Sequence, residues 1–378
     1  MTKTEKLLCE LIALPSVNPA FLPARHPHAG ERRMVDFLAA TAGRAGLDVQ
    51  LQPVLPKRPN LLVRLAPAGK VQQRILLAPH LDTVGGKEVP GLLFTPCAKG
   101  GRLFGRGACD TKGSVAAMMG ALCELAESKV RPAHTEIVFA GLIDEESGQA
   151  GSRALAASGF KADLAIVGEP TRLQVVTAHK GALWLRLQTR GKAAHGARPA
   201  LGRNAVHLMA RIVDLLETKY AAGLRGRRHP LLGHATINVG AIQGGNQPNI
   251  VPDECAILID RRTLPGESNS QVIREIKTLL RENHLSAQIS PTQSGTCGSM
   301  ETSQREPLVQ EFFRSVGQKA RVGVDYFSDA GVLAAAGTPS VLFGPGDIAQ
   351  AHTPDEWVSL GQLERSKEML LQFFRKLS

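Results

Sequence analysis

The sequence predicts an α/β protein, a mostly parallel sheet flanked by helices, into which a smaller α+β unit is inserted. Three observations carry that expectation. Strand-like and helix-like segments alternate to about residue 178, the order expected of a parallel sheet with helices packed on both sides. The pattern then changes: Gly181-Ala182-Leu183-Trp184-Leu185-Arg186-Leu187-Gln188-Thr189 alternates as an antiparallel strand does. A further apolar run, Pro339-Ser340-Val341-Leu342-Phe343, and a histidine, His352, lie beyond this unit, which makes it an insertion. Residues 1–178 and 296–378 then form one discontinuous domain and residues 179–295 the other. A chain of 378 residues with 43% hydrophobic content is long enough for two sizeable cores.

The elements follow in order. Met1-Thr2-Lys3-Thr4-Glu5-Lys6 leads into an amphipathic helix with no long apolar centre, and no later run is long enough to span a bilayer. His26 and His28 sit in a proline-containing loop without nearby partners, so solvent exposure is expected of them rather than metal binding. Arg74 to Pro79 reads as a buried strand that breaks into His80-Leu81-Asp82-Thr83. At a period of two, His80 and Asp82 share a face, so the carboxylate can hold the second ring nitrogen of a histidine ligand. Taken alone, the segment serves equally as a polar turn.

The glycine-rich run Gly101 to Asp110 precedes Thr111-Lys112-Gly113 and a helix over 114–127, which puts Asp110 at a strand-to-helix junction. A carboxylate there can offer one oxygen to each of two cations, or can simply cap the helix. The spacing of a phosphate-binding loop is missing. The apolar strand Glu136 to Ile143 ends on three consecutive carboxylates, Asp144, Glu145 and Glu146, which repel one another unless something cationic lies among them. Adjacent glutamates suit a division of labour, one binding metal while its neighbour moves protons. Asp163 to Gly168 delivers Glu169-Pro170, with the proline fixing the turn. The last run leads through Gly344-Pro345-Gly346 to His352. Each strand end is weak evidence; five of them in one chain describe an oxygen-rich site with one imidazole per metal, a donor set that suits zinc, with manganese or cobalt as substitutes.

Within the insertion, a helix is expected over 204–220, strands over 235–239 and 254–260, and a second helix over 270–283. The formal charge of +11 raises the question of nucleic acid, but lysine and arginine are scattered apart from Arg225-Gly226-Arg227-Arg228, and aromatics make up only 4%. No nucleic-acid or membrane partner is expected, and the positive field favours anionic substrates. Six cysteines without a Cys-x-x-Cys pair fit a reducing compartment, and the expected location is cytoplasmic.

The segments Ala78-Pro79-His80-Leu81-Asp82-Thr83-Val84, Gly105 to Gly113, Asp144-Glu145-Glu146, Gly168-Glu169-Pro170 and His352-Thr353-Pro354-Asp355-Glu356 together resemble the dizinc aminoacylase and carboxypeptidase family. Within it the chain is most similar to the branch of acetylornithine deacetylases and succinyl-diaminopimelate desuccinylases. The resemblance covers nearly the whole chain. It implies a zinc-peptidase-like catalytic domain and a ferredoxin-like dimerisation domain. It implies that Asp110 bridges two zinc ions, His80 and Glu169 completing one site and Glu146 and His352 the other. Glu145 falls on the general base, and Asp82 on the carboxylate that orients the ligand histidine. The peptide after the bridging aspartate, Asp110-Thr111, is expected to be cis.

In the insertion, His195, in Gly191-Lys192-Ala193-Ala194-His195-Gly196, matches a histidine that reaches the substrate carbonyl oxygen across a dimer interface. Without the resemblance, a lone histidine in such a turn is more often structural. Asn249 matches a substrate-loop residue, and Arg262 an arginine that can grip an α-carboxylate; pairing of Arg262 with an acid at a strand end is the plainer alternative. Ser328-Asp329-Ala330 matches a segment near the pocket. The implied activity is removal of a small acyl group from an N-acyl-L-amino acid by a metal-bridged hydroxide, with a homodimer as the working form. A dizinc carboxypeptidase or dipeptidase, or a desuccinylase, uses the same parts. A non-catalytic amino-acid or metal-binding protein is the alternative of a different class; Glu145 beside a full ligand set argues against it, since binding needs no proton shuttle.

Overall fold

The computed structural model describes residues 1–85, 91–128 and 131–377, with backbone only for 293–295. The first stretch holds α1 (Lys3–Ile12), α2 (Arg32–Arg44), β1 (Asp48–Leu55), β2 (Arg58–Leu65), β3 (Gln73–Pro79), β4 (Cys97–Lys99), β5 (Arg102–Phe104), α3 (Lys112–Glu127), β6 (Thr135–Gly141), α4 (Ala150–Ala157), β7 (Leu164–Gly168) and β8 (Val176–His179). Next come β9 (Gly181–Arg190), α5 (Ala205–Leu215), α6 (Ala221–Arg225), β10 (Arg228–His229), β11 (Gly233–His234), β12 (Thr236–Gly244), β13 (Glu254–Thr263), α7 (Asn269–Glu282) and β14 (Gln288–Cys297). The last stretch holds β15 (Met300–Glu301), α8 (Pro307–Val316), β16 (Val322–Val324), α9 (Ala330–Ala335), β17 (Ser340–Leu342), β18 (Trp357–Ser359) and α10 (Leu360–Phe374).

The chain divides into two compact units. One comprises Met1–Ala178, Glu301–Gly323 and Ser328–Ser378, the other His179–Met300 and Val324–Phe327. Residues 296–300 and 324–327, expected in the first domain, lie with the second unit. Local pairing explains this: β14 continues to Cys297 opposite Ala182, the Lys180 N–H donates to the Val324 carbonyl, and Lys180 Nζ meets Asp325 at 2.7 Å.

In the first unit the main sheet runs β1-β2-β6-β3-β7-β17-β8-β15. Its centre, β6-β3-β7-β17, is parallel, whereas β1 against β2, β2 against β6 and β8 against β17 are antiparallel. The sheet is therefore mixed at its flanks, for a local reason. Only two residues separate β1 from β2, and Lys57 there has φ +61°, so a hairpin is the only connection that fits. β6 and β7 are buried along their whole length, as strands covered on both faces must be. One phase, including Leu61, Val63, Ile75, Leu77, Ile137 and Phe139, packs with α1, α2, α3, α8 and α10 into the main core. Helix α3 is buried nearly all round and sits inside that layer. All six cysteines are free thiols. No helix among the described residues is long and apolar enough to cross a membrane.

The second unit is a β-α-β-β-α-β arrangement with sheet order β12-β13-β9-β14, all neighbours antiparallel. That is the ferredoxin-like topology. The expected helix over 204–220 is α5 extended by one wide turn at Leu216–Tyr220.

The parallel centre decides where chemistry can sit. β3, β6 and β7 all point their C-terminal ends the same way, and open α/β sheets bind ligands outside that edge. The end of β6 is held by α4: the Gly151 N–H donates to the Ile143 carbonyl at 3.0 Å, and Asn60 Nδ2 donates to Gly151 O at 2.9 Å. A Cβ at Gly151 would lie 2.5 Å from Ile143 N and 2.6 Å from Asn60 Oδ1. Gly151→Ala is therefore expected to destabilise the protein by about 1–3 kcal/mol, despite the better helix propensity of alanine, because the strand end has to move. Denaturant unfolding measures this, and an unchanged or raised stability would contradict the packing.

Candidate functional site

Strand β3 ends at Pro79 and delivers His80, β7 ends at Gly168 and delivers Glu169, and β6 leads through Leu142 and Ile143 into Asp144, Glu145 and Glu146. A parallel bridge pairs His80 with Leu142, so two of these strand ends stay in register past the sheet. Asp110 arrives from the loop before α3, and the Asp110–Thr111 peptide is cis. His352 arrives from the loop before β18.

Five of the ten sequence candidates meet here. His80, Asp110 and Glu169 each offer a ligand atom within 4.8 Å of the others, and so do Asp110, Glu146 and His352. Asp110 belongs to both trios. Its Oδ1 lies 3.0 Å from His80 Nε2 and its Oδ2 3.3 Å from His352 Nε2, which in turn lies 3.2 Å from Glu146 Oε2. One carboxylate thus faces one imidazole with each oxygen. His80, Asp110 and Glu169 are buried, while the His352 side chain is 53% exposed, so the second trio is the one that opens to solvent.

The Asp82 carboxylate was expected on the His80 ring, and the structure places a different Asp82 atom there. His80 Nδ1 meets the backbone carbonyl of Asp82 at 2.9 Å, while the Asp82 carboxylate oxygen is 3.7 Å away. The carboxylate instead accepts the N–H groups of Glu145 at 3.0 Å and Glu146 at 3.1 Å. The His80 ring is therefore held chiefly by main chain, and the carboxylate organises the β6 loop. Two residues that present the site, Asp144 at φ +69° and His352 at φ +62°, are left-handed without being glycine, a cost that marks functional loops.

The electrostatics show what this group lacks. Burial, with neighbouring carboxylates, pushes Glu145 and Glu169 well above the usual carboxylate range. Burial and the charge of Asp110 lift Glu146 to about 7. His352 is raised to about 10 by Asp110 and Glu146. Burial works against charge on Asp110, but His352 and His80 hold its carboxyl below the ordinary range. Glu146 Oε1 is buried with no hydrogen-bond partner. Four carboxylates and two imidazoles around one point, with a buried oxygen unpartnered, form a donor set that fits two divalent cations.

Sequence reading missed the groups behind the ligands. Glu356 lay inside a quoted motif with no role. Its buried carboxylate accepts the N–H groups of Gly107, Cys109 and Asp110, each at 2.9 Å, and pairs with Arg106 at 2.9 Å. It ties the Asp110 loop to the loop of His352. The available signal was an acid placed between a histidine and an apolar strand. Asp329 is buried, with Oδ1 accepting from Ser152 at 2.5 Å and Oδ2 unpartnered, and its carboxyl is pushed up to about 6 by burial.

The other three candidates belong to the second unit. His195 is exposed and bridges to Ile250; its Nδ1 accepts the Ala197 N–H at 3.1 Å. The Gly196 N–H donates to Asn249 O at 2.7 Å, so the loops of His195 and Asn249 adjoin. Asn249 is exposed. Arg262 pairs with Asp260 at 3.0 Å and lies over the Phe327 ring at 5.5 Å, which is the strand-end pairing weighed against a substrate role.

The fold and site together define a hydrolase class. Residues 76–376 match the model of "Peptidase family M20/M25/M40", and the chain belongs to that family. It is 30% identical to an acetylornithine deacetylase of Proteus mirabilis, over 97% of this chain and 95% of that protein. Its fold is similar to an M20 family metallo-carboxypeptidase of Sulfolobus solfataricus, with TM-score 0.78, 19% identity and coverage of 99% of both chains. It is also similar to a dinuclear metal-binding M20 peptidase of Bacillus subtilis, with TM-score 0.73, 12% identity and coverage of 98% of this chain and 96% of that one.

Two outcomes are expected. Cation binding must displace protons from His352 and the raised glutamates, so affinity should rise with pH from about 6 to about 10, more steeply below about 7, with net proton release. Calorimetry in buffers of different ionisation enthalpy reads that number; zero release would contradict the ligand set. Glu356→Ala leaves three N–H groups and a guanidinium without their acceptor, and is expected to cost about 3–5 kcal/mol in denaturant unfolding.

Proposed function

We propose that this protein is a two-cation amidohydrolase that removes a small acyl group from an N-acyl-L-amino acid, as acetylornithine deacetylases do. The observation that carries the reading is the pair of trios sharing Asp110 with Glu145 beside them. Asp110 would bridge the cations, His80 and Glu169 holding one and Glu146 and His352 the other; zinc suits this set, with cobalt or manganese as substitutes. When bound, such cations polarise an amide carbonyl and lower the pKa of water.

Glu145 is the proton carrier. Its backbone is fixed by Asp82, and its carboxyl, raised by burial and by neighbouring acids, suits a group that takes a proton from attacking water and returns it to the leaving amine. Water adds to the carbonyl carbon, the C–N bond breaks, and a carboxylate and an amino acid leave. His195 serves the carbonyl oxygen. Because Nδ1 accepts the Ala197 N–H, the neutral ring carries its proton on Nε2, the tautomer an oxyanion donor needs. The family resemblance supports delivery of that ring from a partner copy, with the first unit catalytic and the second serving as dimerisation domain and lid. Arg262 and Asn249 bind the amino-acid portion, Arg262 with the N–H groups that Asp260 leaves available. The six free thiols favour a cytoplasmic setting.

A carboxypeptidase or dipeptidase on the same residues is the second reading, favoured by the metallo-carboxypeptidase likeness. Glu145→Gln decides the mechanism: turnover is expected to fall about 10²–10⁴-fold with both metal equivalents retained. Near-parental turnover would end the assignment. A panel of N-acetyl, N-succinyl and dipeptide substrates separates the two readings, and greater kcat/KM on N-acetyl amino acids is expected.

A further inference from the structure

A second set of buried polar groups backs the β6 loop, and three of its members, Asn18, Arg58 and Glu31, were assigned no role by the sequence. Asn18 is fully buried on the loop after α1. Its amide nitrogen donates to Asp82 Oδ2 at 2.7 Å and to Asp144 Oδ1 at 3.0 Å, so both of its hydrogens are used on carboxylates. Its carbonyl oxygen accepts the Ala20 N–H at 3.0 Å, and its own N–H donates to Thr83 O at 2.9 Å. The side chain is thus held at every polar atom, in one orientation.

The set continues outward. Arg58 Nη2 donates to the same Asp144 oxygen at 3.1 Å and to Glu31 Oε1 at 2.6 Å, while its Nε donates to Glu31 Oε2 at 2.7 Å. Glu31 is fully buried and also accepts the Asp144 N–H at 3.3 Å. A ladder therefore runs Glu31, Arg58, Asp144, Asn18, Asp82, and it ends on the N–H groups of Glu145 and Glu146.

We infer that Asn18 is a positioning residue: by bridging Asp82 and Asp144 it sets the backbone of Glu145 and Glu146, and so both the proton carrier and a metal ligand. The chemistry requires an amide. Two carboxylates that close repel each other, and a neutral group with two N–H donors and one acceptor joins them without adding charge. Aspartate has the same shape but would add a third carboxylate; leucine has the size but no donor. Asp144 is the member under strain, at φ +69°, so the ladder holds a conformation the chain would otherwise leave.

This rests on the proposed function for the role of Glu145, but not for the metal site. The test uses the full chain with Asn18→Leu, Asn18→Asp and Asn18→Ser. Zinc affinity is read by competition with a chromogenic chelator, stability by thermal unfolding of the metal-free protein, and kcat and KM separately. For Leu and Asp, zinc affinity and kcat should each fall about 10–100-fold, with KM changed less than threefold. Ser, which leaves space for a water that can donate to both carboxylates, should recover part of each loss. Folded Leu and Asp variants with zinc affinity within twofold of the parent overturn the inference, whatever the assay of activity shows. If Leu does not fold, the isosteric Asp variant alone decides by the same criterion. Should Glu145→Gln stay active while the Asn18 variants lose zinc, the proton-carrier assignment fails and the positioning of Glu146 stands.

Discussion

Everything at this end of the molecule depends on Asp110 being shared. One carboxylate faces His80 with one oxygen and His352 with the other, and the two trios have no other member in common. Burying Asp110, Glu145, Glu146 and Glu169 together is costly, since each is out of water and each repels the rest. The two imidazoles offset part of that cost, but Glu146 keeps an unpartnered buried oxygen and both Glu145 and Glu169 remain far from their ordinary protonation range. Divalent cations held by this donor set would balance that charge.

The sheet explains why the ligands can come from such distant parts of the chain. Parallel strands β3, β6 and β7 bring His80, the Asp144–Glu146 run and Glu169 to one edge without any contact between their side chains being needed first. β17 joins beside β7, so the segment that returns after the inserted unit re-enters the same sheet and carries His352 onward. An insertion between residues 178 and 301 is tolerated because β7 and β17 pair directly, whatever lies between them in sequence.

The alternation of apolar runs was legible because buried parallel strands need apolar residues on both faces, and His80, Glu169 and the Asp144–Glu146 run were legible because each follows such a run, whereas Asp110 and His352 arrive on loops. The β1–β2 flank and the pairing of Lys180 with Val324 and Asp325 were not, since a hairpin and a local crossover leave no periodic signal. Asp82 shows the limit more sharply. Its spacing from His80 pointed to a carboxylate on the ring, yet a backbone carbonyl took that place, because main-chain acceptors are invisible to residue type. Asn18 and Glu356 left almost no trace for a related reason. They act on backbone N–H groups and on other carboxylates far away in sequence, and only a folded chain shows which ones.

Those hidden groups share one design. Asp82 accepts the N–H groups of two residues in the β6 loop, and Glu356 accepts three N–H groups in the Asp110 loop. In both cases a buried carboxylate grips the main chain that carries a candidate ligand, not that residue's side chain. Gripping backbone fixes where a side chain starts and leaves its rotamer free to meet a cation. It also places a negative charge behind the ligand, which raises the affinity of the whole group for positive charge. Each gripping carboxylate also has a donor behind it: Glu356 pairs with Arg106, and Asp82 accepts from the neutral Asn18 amide, which also reaches Asp144, the partner of Arg58. Outward from the site the order is therefore ligating group, gripping carboxylate, and then a donor, Arg106 behind Glu356 and the neutral Asn18 amide behind Asp82.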